Sequence, residues 1–142
     1  LLEIKDIKGT VEKDQFLRYG VIQPQFLEDF VTKVKESLNL KAVRIVGNPK
    51  RLIKTVGVVG GSGAHYSDFE AAQNVGLDCY ITGEISHHMA LYAKEVDLCL
   101  IEVAHAVESF VFVSLKNELI EELDLEHQVF ISKVDADPFS YL

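Results

Sequence analysis

The sequence predicts an α/β fold: a mainly parallel or mixed sheet with helices on both faces, assembled from repeated strand–helix units. Three observations carry this. Short segments that are apolar throughout recur in the second half of the chain, as strands covered on both faces do. They alternate with segments of helical periodicity. Glycine-rich or polar turns fall where each strand passes to a helix.

Residues 1–18 are charged and weakly periodic and read as a lead-in or linker, leaving 19–142 as a single domain. "RYGVIQP" (18–24) suits a short edge strand that Pro24 stops. Phe26, Leu27, Phe30, Val31, Val34 and Leu38 recur at helical spacing and predict an amphipathic helix over 25–38. "AVRIVG" (42–47) alternates and reads as a strand. The regular pattern follows: strand 54–60 running into "GSG", helix 67–75, strand 77–82, helix 86–96, strand 98–104, helix 107–123, a last strand "HQVFISKV" (127–134) and a polar tail. In the 107–123 helix Val107, Phe110, Val111, Phe112, Val113, Leu115, Leu119 and Ile120 cover more than one face. Such a helix is buried, either by its own domain or against another subunit.

Composition bounds the function. A chain of 142 residues suffices for one domain with a real core. A formal net charge of −8 opposes non-specific binding to nucleic acid or anionic membrane. The basic stretch "NPKRLIK" (48–54) is too short to reverse that and reads as a solvated loop. The apolar-rich run 98–115 is interrupted by Glu102, His105 and Glu108, which rules it out as a membrane span. No signal peptide is evident, and a cytoplasmic location is expected. The opening residue is Leu1 rather than Met, as in a piece of something longer. Cys79 and Cys99 sit inside expected strands and read as small core residues in a reducing compartment.

Ligands collect at the carboxyl ends of strands in such sheets, and three loaded segments fall there. "GGSGAH" (60–65) offers a tight turn or an anion-binding loop ahead of a helix. A dinucleotide fingerprint fails because Tyr66 occupies the third glycine position, and no P-loop Lys-Ser/Thr follows. "TGEISHH" carries Glu84, His87 and His88. Adjacent helical side chains diverge by about 100°, so the two histidines do not readily share one ion. They suit either an incidental helix start or a cleft lining. "EVAHAVE" places His105 and Glu108 at i, i+3, where imidazole and carboxylate converge. That pair serves as metal ligands, or as a cap or salt bridge.

In this order and spacing, "TVGVVGGSG", "YITGEISHHMALYA" and "LIEVAHAVE" resemble the C-terminal half of the Nif-three-like family, the dinuclear metal-centre proteins also called GTP cyclohydrolase I type 2 homologues. The likeness runs from about Tyr19 to the closing "DADPF" (135–139). It implies half of a two-lobed fold and a site for two divalent ions, with Zn, Fe, Mn and Ni undistinguished. It makes His105 and Glu108 metal ligands and assigns Glu84 and His88 to catalysis or substrate contact. Gly61, Ser62 and Gly63 become candidates for phosphate contacts. Three further ligands belong to the family's N-terminal half, which this sequence lacks. Glu102 and Ala104 stand where Asp and Gly are commoner, and the His–Glu spacing is the shorter variant. The resemblance implies a metal-dependent hydrolase acting on a nucleotide such as GTP, in a toroidal hexamer. The alternative is a non-catalytic assembly module that keeps the fold.

Overall fold

The computed structural model describes residues 6–7, 16–123, 128–135 and 137–140. Its centre is three parallel strands, β4 (Leu52–Val59), β5 (Cys79–Thr82) and β6 (Cys99–Glu102). Helices α2 (Tyr66–Asn74) and α3 (His87–Glu95) make the two crossovers between them. Antiparallel strands flank this block: β2 (Arg18–Phe26) beside β4, with β1 (Asp6–Ile7) outside it, and β3 (Arg44–Val46) beside β6. The sheet order is β1-β2-β4-β5-β6-β3, so the fold is a mixed α/β sheet.

Alternation along the central strands divides two cores. Val59, Tyr80 and Leu100 face α2 and α3, meeting Phe69, Ala72, Met89 and Ala93. Ile53, Cys79, Ile81, Cys99 and Ile101 face the other way, toward Leu27, Phe30 and Val34 of α1 (Leu27–Ser37). Helices therefore cover both faces, and period-two side-chain alternation explains how all-apolar strands feed both layers. Both cysteines are free and buried, with burial pushing each thiol above its ordinary range. The opening N–H groups of α1 are taken by loop carbonyls: Leu27 donates to Arg51 O and Glu28 to Pro49 O.

Three expectations need correction. Pro24 does not end its strand, and that strand is not at the edge: β2 continues to Phe26 with β1 outside it. The register shift between Val21 and Gln25 absorbs the missing N–H. The helix expected over 107–123 opens as a 3₁₀ turn, His105–Phe110, before α4 (Val111–Leu123). The expected strand over 127–134 is absent over 128–134, and His127 lies outside the described residues. Phe130 and Val134 are 81% and 82% exposed. The segment instead runs beside α4, where Val129, Phe130 and Ile131 line a groove of about 500 Å³ with Phe112, Leu115 and Leu119.

Of the 1–18 lead-in, residues 1–5 and 8–15 lie outside the described residues. Leu17 is fully buried in the core beneath α2 and α3. No residue of α4 is buried. No helix among the described residues is long and apolar enough to cross a membrane.

Candidate functional site

The three parallel strands end level, Val59 beside Thr82 and Thr82 beside Glu102. Their following loops therefore open on one edge. Thr82 joins the first two loops from beneath. Its hydroxyl, 1% exposed, donates to the Gly61 carbonyl and accepts from the Gly63 N–H, each at 3.1 Å. The same carbonyl accepts the N–H groups of Gly83 and Glu84, at 2.9 and 3.1 Å. The Tyr80 hydroxyl donates to Gly63 O.

Glycine is required at two points of this junction. Gly61 has φ +64°. A Cβ on Gly83 would stand 2.8 Å from the Gly61 carbonyl oxygen and 3.3 Å from His105 Cα. Neither of those backbone atoms can swing aside as a side chain would.

The third loop reaches this junction through Ala104, at φ 67° and ψ 150°. Past it, the 3₁₀ turn brings His105 and Glu108 onto one line, since side chains three apart eclipse in that helix. His105 Nδ1 lies 2.9 Å from Glu84 Oε1, and His105 Nε2 lies 3.2 Å from Glu108 Oε2. All three side chains are about half exposed. Glu108 Oε1 approaches so closely that a Cβ on Gly60 or Gly61 would lie 3.2 Å from it.

Glu84, His105, Glu108 and the Gly60–Gly61 peptide thus form one cluster. Glu84, accepting the Nδ1 proton, holds the His105 pKa above the ordinary histidine value, and the negative charge of Glu108 adds to this.

This arrangement suits a metal. A carboxylate on Nδ1 fixes the ring and its tautomer and leaves Nε2 as the donor. Nε2 stands beside a carboxylate oxygen, the mixed nitrogen–oxygen pair that borderline divalent ions take. Among the described residues no group of three or more His, Cys, Asp or Glu side chains forms a complete metal site.

The remaining expected residues lie around this cluster. His88 sits over Ser86, whose hydroxyl is 3.2 Å from its Nδ1. With Glu84, Ser62, His65 and Tyr66 it lines a groove of about 430 Å³. His87 lines a different cleft with Ile45, Lys94 and Asp97, so the adjacent histidines face separate spaces, as their helical offset requires. Ser62 is exposed at the loop tip. The Gly63 N–H is already given to Thr82 and is not open to an anion.

Two features of the site were missed from sequence. In the sequence Thr82 only closes an apolar strand; a hydroxyl at a strand end beside "GGSG" is the available signal. Tyr66 was noted only as the side chain breaking the glycine fingerprint. Alanine itself does not announce the positive φ of Ala104; the available signal is that glycine is commoner at this position in the family the sequence resembles. Glu102 is held by Arg44, its direct cross-strand partner, which also donates to the Ile85 carbonyl.

Comparison with known proteins identifies the family and the fold. The profile of the family described as Duf34/NIF3 (NGG1p interacting factor 3) matches residues 1–138. A Staphylococcus aureus (strain Mu50) protein named GTP cyclohydrolase 1 type 2 homolog is 38% identical over 119 residues, which are 82% of this chain and 32% of that protein. A Bacillus cereus protein related to NIF3 superposes with a TM-score of 0.82 at 28% identity, over 89% of this chain and 36% of its own. The Staphylococcus aureus protein SA1388 gives a TM-score of 0.77 at 35% identity, over 89% of this chain and 42% of its own. The chain spans about a third of the length of the curated relatives it matches.

Proposed function

This chain belongs to the Duf34/NIF3 family, and we propose that it supplies one part of a dinuclear divalent-metal site in a hydrolase acting on a nucleotide. The observation that carries the reading is the bracketed imidazole. His105 presents Nε2 beside the Glu108 carboxylate while Glu84 holds its other nitrogen.

His105 and Glu108 are the ligands from this chain. Two donors hold an ion poorly, so the other ligands come from a different part of the complete protein. Bound metal would supply Lewis acidity, polarising the substrate bond and acidifying a water. Glu84 positions the histidine, keeping the Nε2 lone pair aimed outward. His88, in the groove that Glu84 also lines, is placed to carry protons at the edge of the site. The carboxylates of Glu84, Asp68 and Glu108 border the glycine loop, and its two grooves are lined by no Lys or Arg among the described residues. A substrate phosphate there needs cations from bound metal or from elsewhere in the protein.

The test is metal content by elemental analysis of a chain of the relatives' full length. About two ions per chain are expected, falling sharply in His105→Ala while far-ultraviolet circular dichroism stays unchanged. Full occupancy in that variant would remove His105 from the site.

A second reading rests on α4. Phe112, Val113 and Leu115 are exposed on a helix with no buried residue. A non-catalytic assembly module, toroidal in the manner the family resemblance implies, would cover them. Sedimentation as a monomer only would count against it.

A further inference from the structure

Three exposed aromatic side chains stand at the edge of the site among the described residues: Phe16 and Phe139 line grooves with Glu108 and with His105, and Tyr66 lines the groove that holds Ser86 and His88. Tyr66 is 54% exposed although it opens a helix whose next aromatic residue, Phe69, is fully buried. Its ring is held in place from one side. Tyr92 meets it edge-on at 4.9 Å, and Tyr92 in turn stacks on Phe69 with centroids 6.3 Å apart. The platform is therefore anchored to the core. The His88 ring lies 6.3 Å from Tyr66, tilted by 39°.

Around this ring the groove is rich in hydrogen-bonding groups and poor in charge. Ser62, His65, Ser86 and His88 are all exposed. Glu84 lines the same groove and also holds His105. The groove is thus continuous with the proposed metal ligands through one shared side chain.

We propose that this groove is the ring subsite of the proposed substrate. A planar heteroaromatic base stacks on the open face of Tyr66 and directs its polar edge at His88 and Ser86. The chemistry selects a base over a phosphate or a sugar. A rigid, half-exposed ring offers stacking to any π-face, and hydroxyl and imidazole groups match the donors and acceptors of a base edge. Glu84 repels phosphate, and no Lys or Arg among the groove's lining residues offsets it. The anionic end of the ligand accordingly points away from Tyr66, toward the cations that the proposed metal site would hold beside His105 and Glu108. This rests on the nucleotide reading above and orients that ligand.

The test uses a full-length chain and two probes, guanosine and ribose 5-phosphate, titrated calorimetrically into wild type, Tyr66→Phe and Tyr66→Ala, with metal content measured on each. Guanosine should bind to wild type and Tyr66→Phe alike. It should bind roughly ten- to a hundred-fold more weakly to Tyr66→Ala, the range that base–aromatic stacking gives. Ribose 5-phosphate should not distinguish the three proteins. Equal guanosine affinity in all three, or no guanosine binding to wild type, overturns the subsite. Metal content decides the other reading separately: the ring subsite stands with guanosine discrimination in a metal-free protein, and the metal centre stands with full occupancy in Tyr66→Ala.

Discussion

Ala104→Gly should stabilise this protein. Ala104 sits at φ 67°, ψ 150°, a region of backbone space that is essentially glycine-only and costs other residues about 1–3 kcal/mol. Among the described residues two other non-glycines have positive φ, Asn39 at 50° and Asp97 at 56°, but those types tolerate that geometry. Alanine has no such excuse. Replacing it with glycine removes the strain but costs about 0.4–1 kcal/mol, because glycine has more unfolded-state entropy to lose. The net gain is about 0.5–2 kcal/mol, or roughly 2–6 °C in Tm for a domain of this size. Thermal unfolding followed by circular dichroism measures it, with Asn39→Gly as a control expected to move Tm by a degree or so at most. A lower Tm for Ala104→Gly, or a gain no larger than the control's, would mean that the chain reaches His105 by an unstrained route and that this account of the third loop is wrong.

Two further outcomes follow from the same junction. Thr82→Val strips the buried hydroxyl that serves the Gly61 carbonyl and the Gly63 N–H and should cost about 1–3 kcal/mol in urea unfolding; a neutral result would mean that the glycine loop does not depend on that bridge. For His105 in metal-free protein, the folded pKa is raised first by the Glu84 hydrogen bond. The imidazolium cluster therefore adds stability below the unfolded histidine value, about 6.5, and that contribution is lost as pH rises through the folded value. An NMR titration of the imidazole signals should show Glu84→Gln moving the His105 midpoint down toward the ordinary value, and an unmoved midpoint would contradict the Glu84 contact.

Much of the sheet was legible because its central strands are written in period two on both faces. "LDCYIT" and "LCLIEVA" have no polar side to face water, which forces them between two layers. The flanking strands were harder. β2 carries Pro24, a residue that argues against an interior strand, and only the partner strand shows that a register shift absorbs it. The segment after α4 alternates as a strand does, but alternation alone supplies no partner strand, and residues 128–134 pair with none among the described residues. At the site, His105 and Glu108 were legible as an i, i+3 pair. Their link to Glu84 was not, because it depends on strands β5 and β6 ending level and on Gly83 letting the loops touch. Those contacts join residues about twenty positions apart, beyond what local spacing encodes.

The electrostatics of the cluster favour a cation whichever reading holds. Two carboxylates flank one imidazole, so even with His105 fully protonated the trio carries a net negative charge, and Asp68 adds to it across the adjoining groove. A proton on Nε2, which faces Glu108, competes on the proposed reading with the metal for that lone pair. On the proposed reading the raised histidine pKa is therefore the apo protein's substitute for the ion. Glu84 serves both states, because its bond is to the opposite nitrogen. A structural salt bridge needs only one of the two carboxylates. A ligand-holding histidine uses both, one to orient the ring and one to share the ion, and the glycines at 60, 61 and 83 keep the backbone close enough for that.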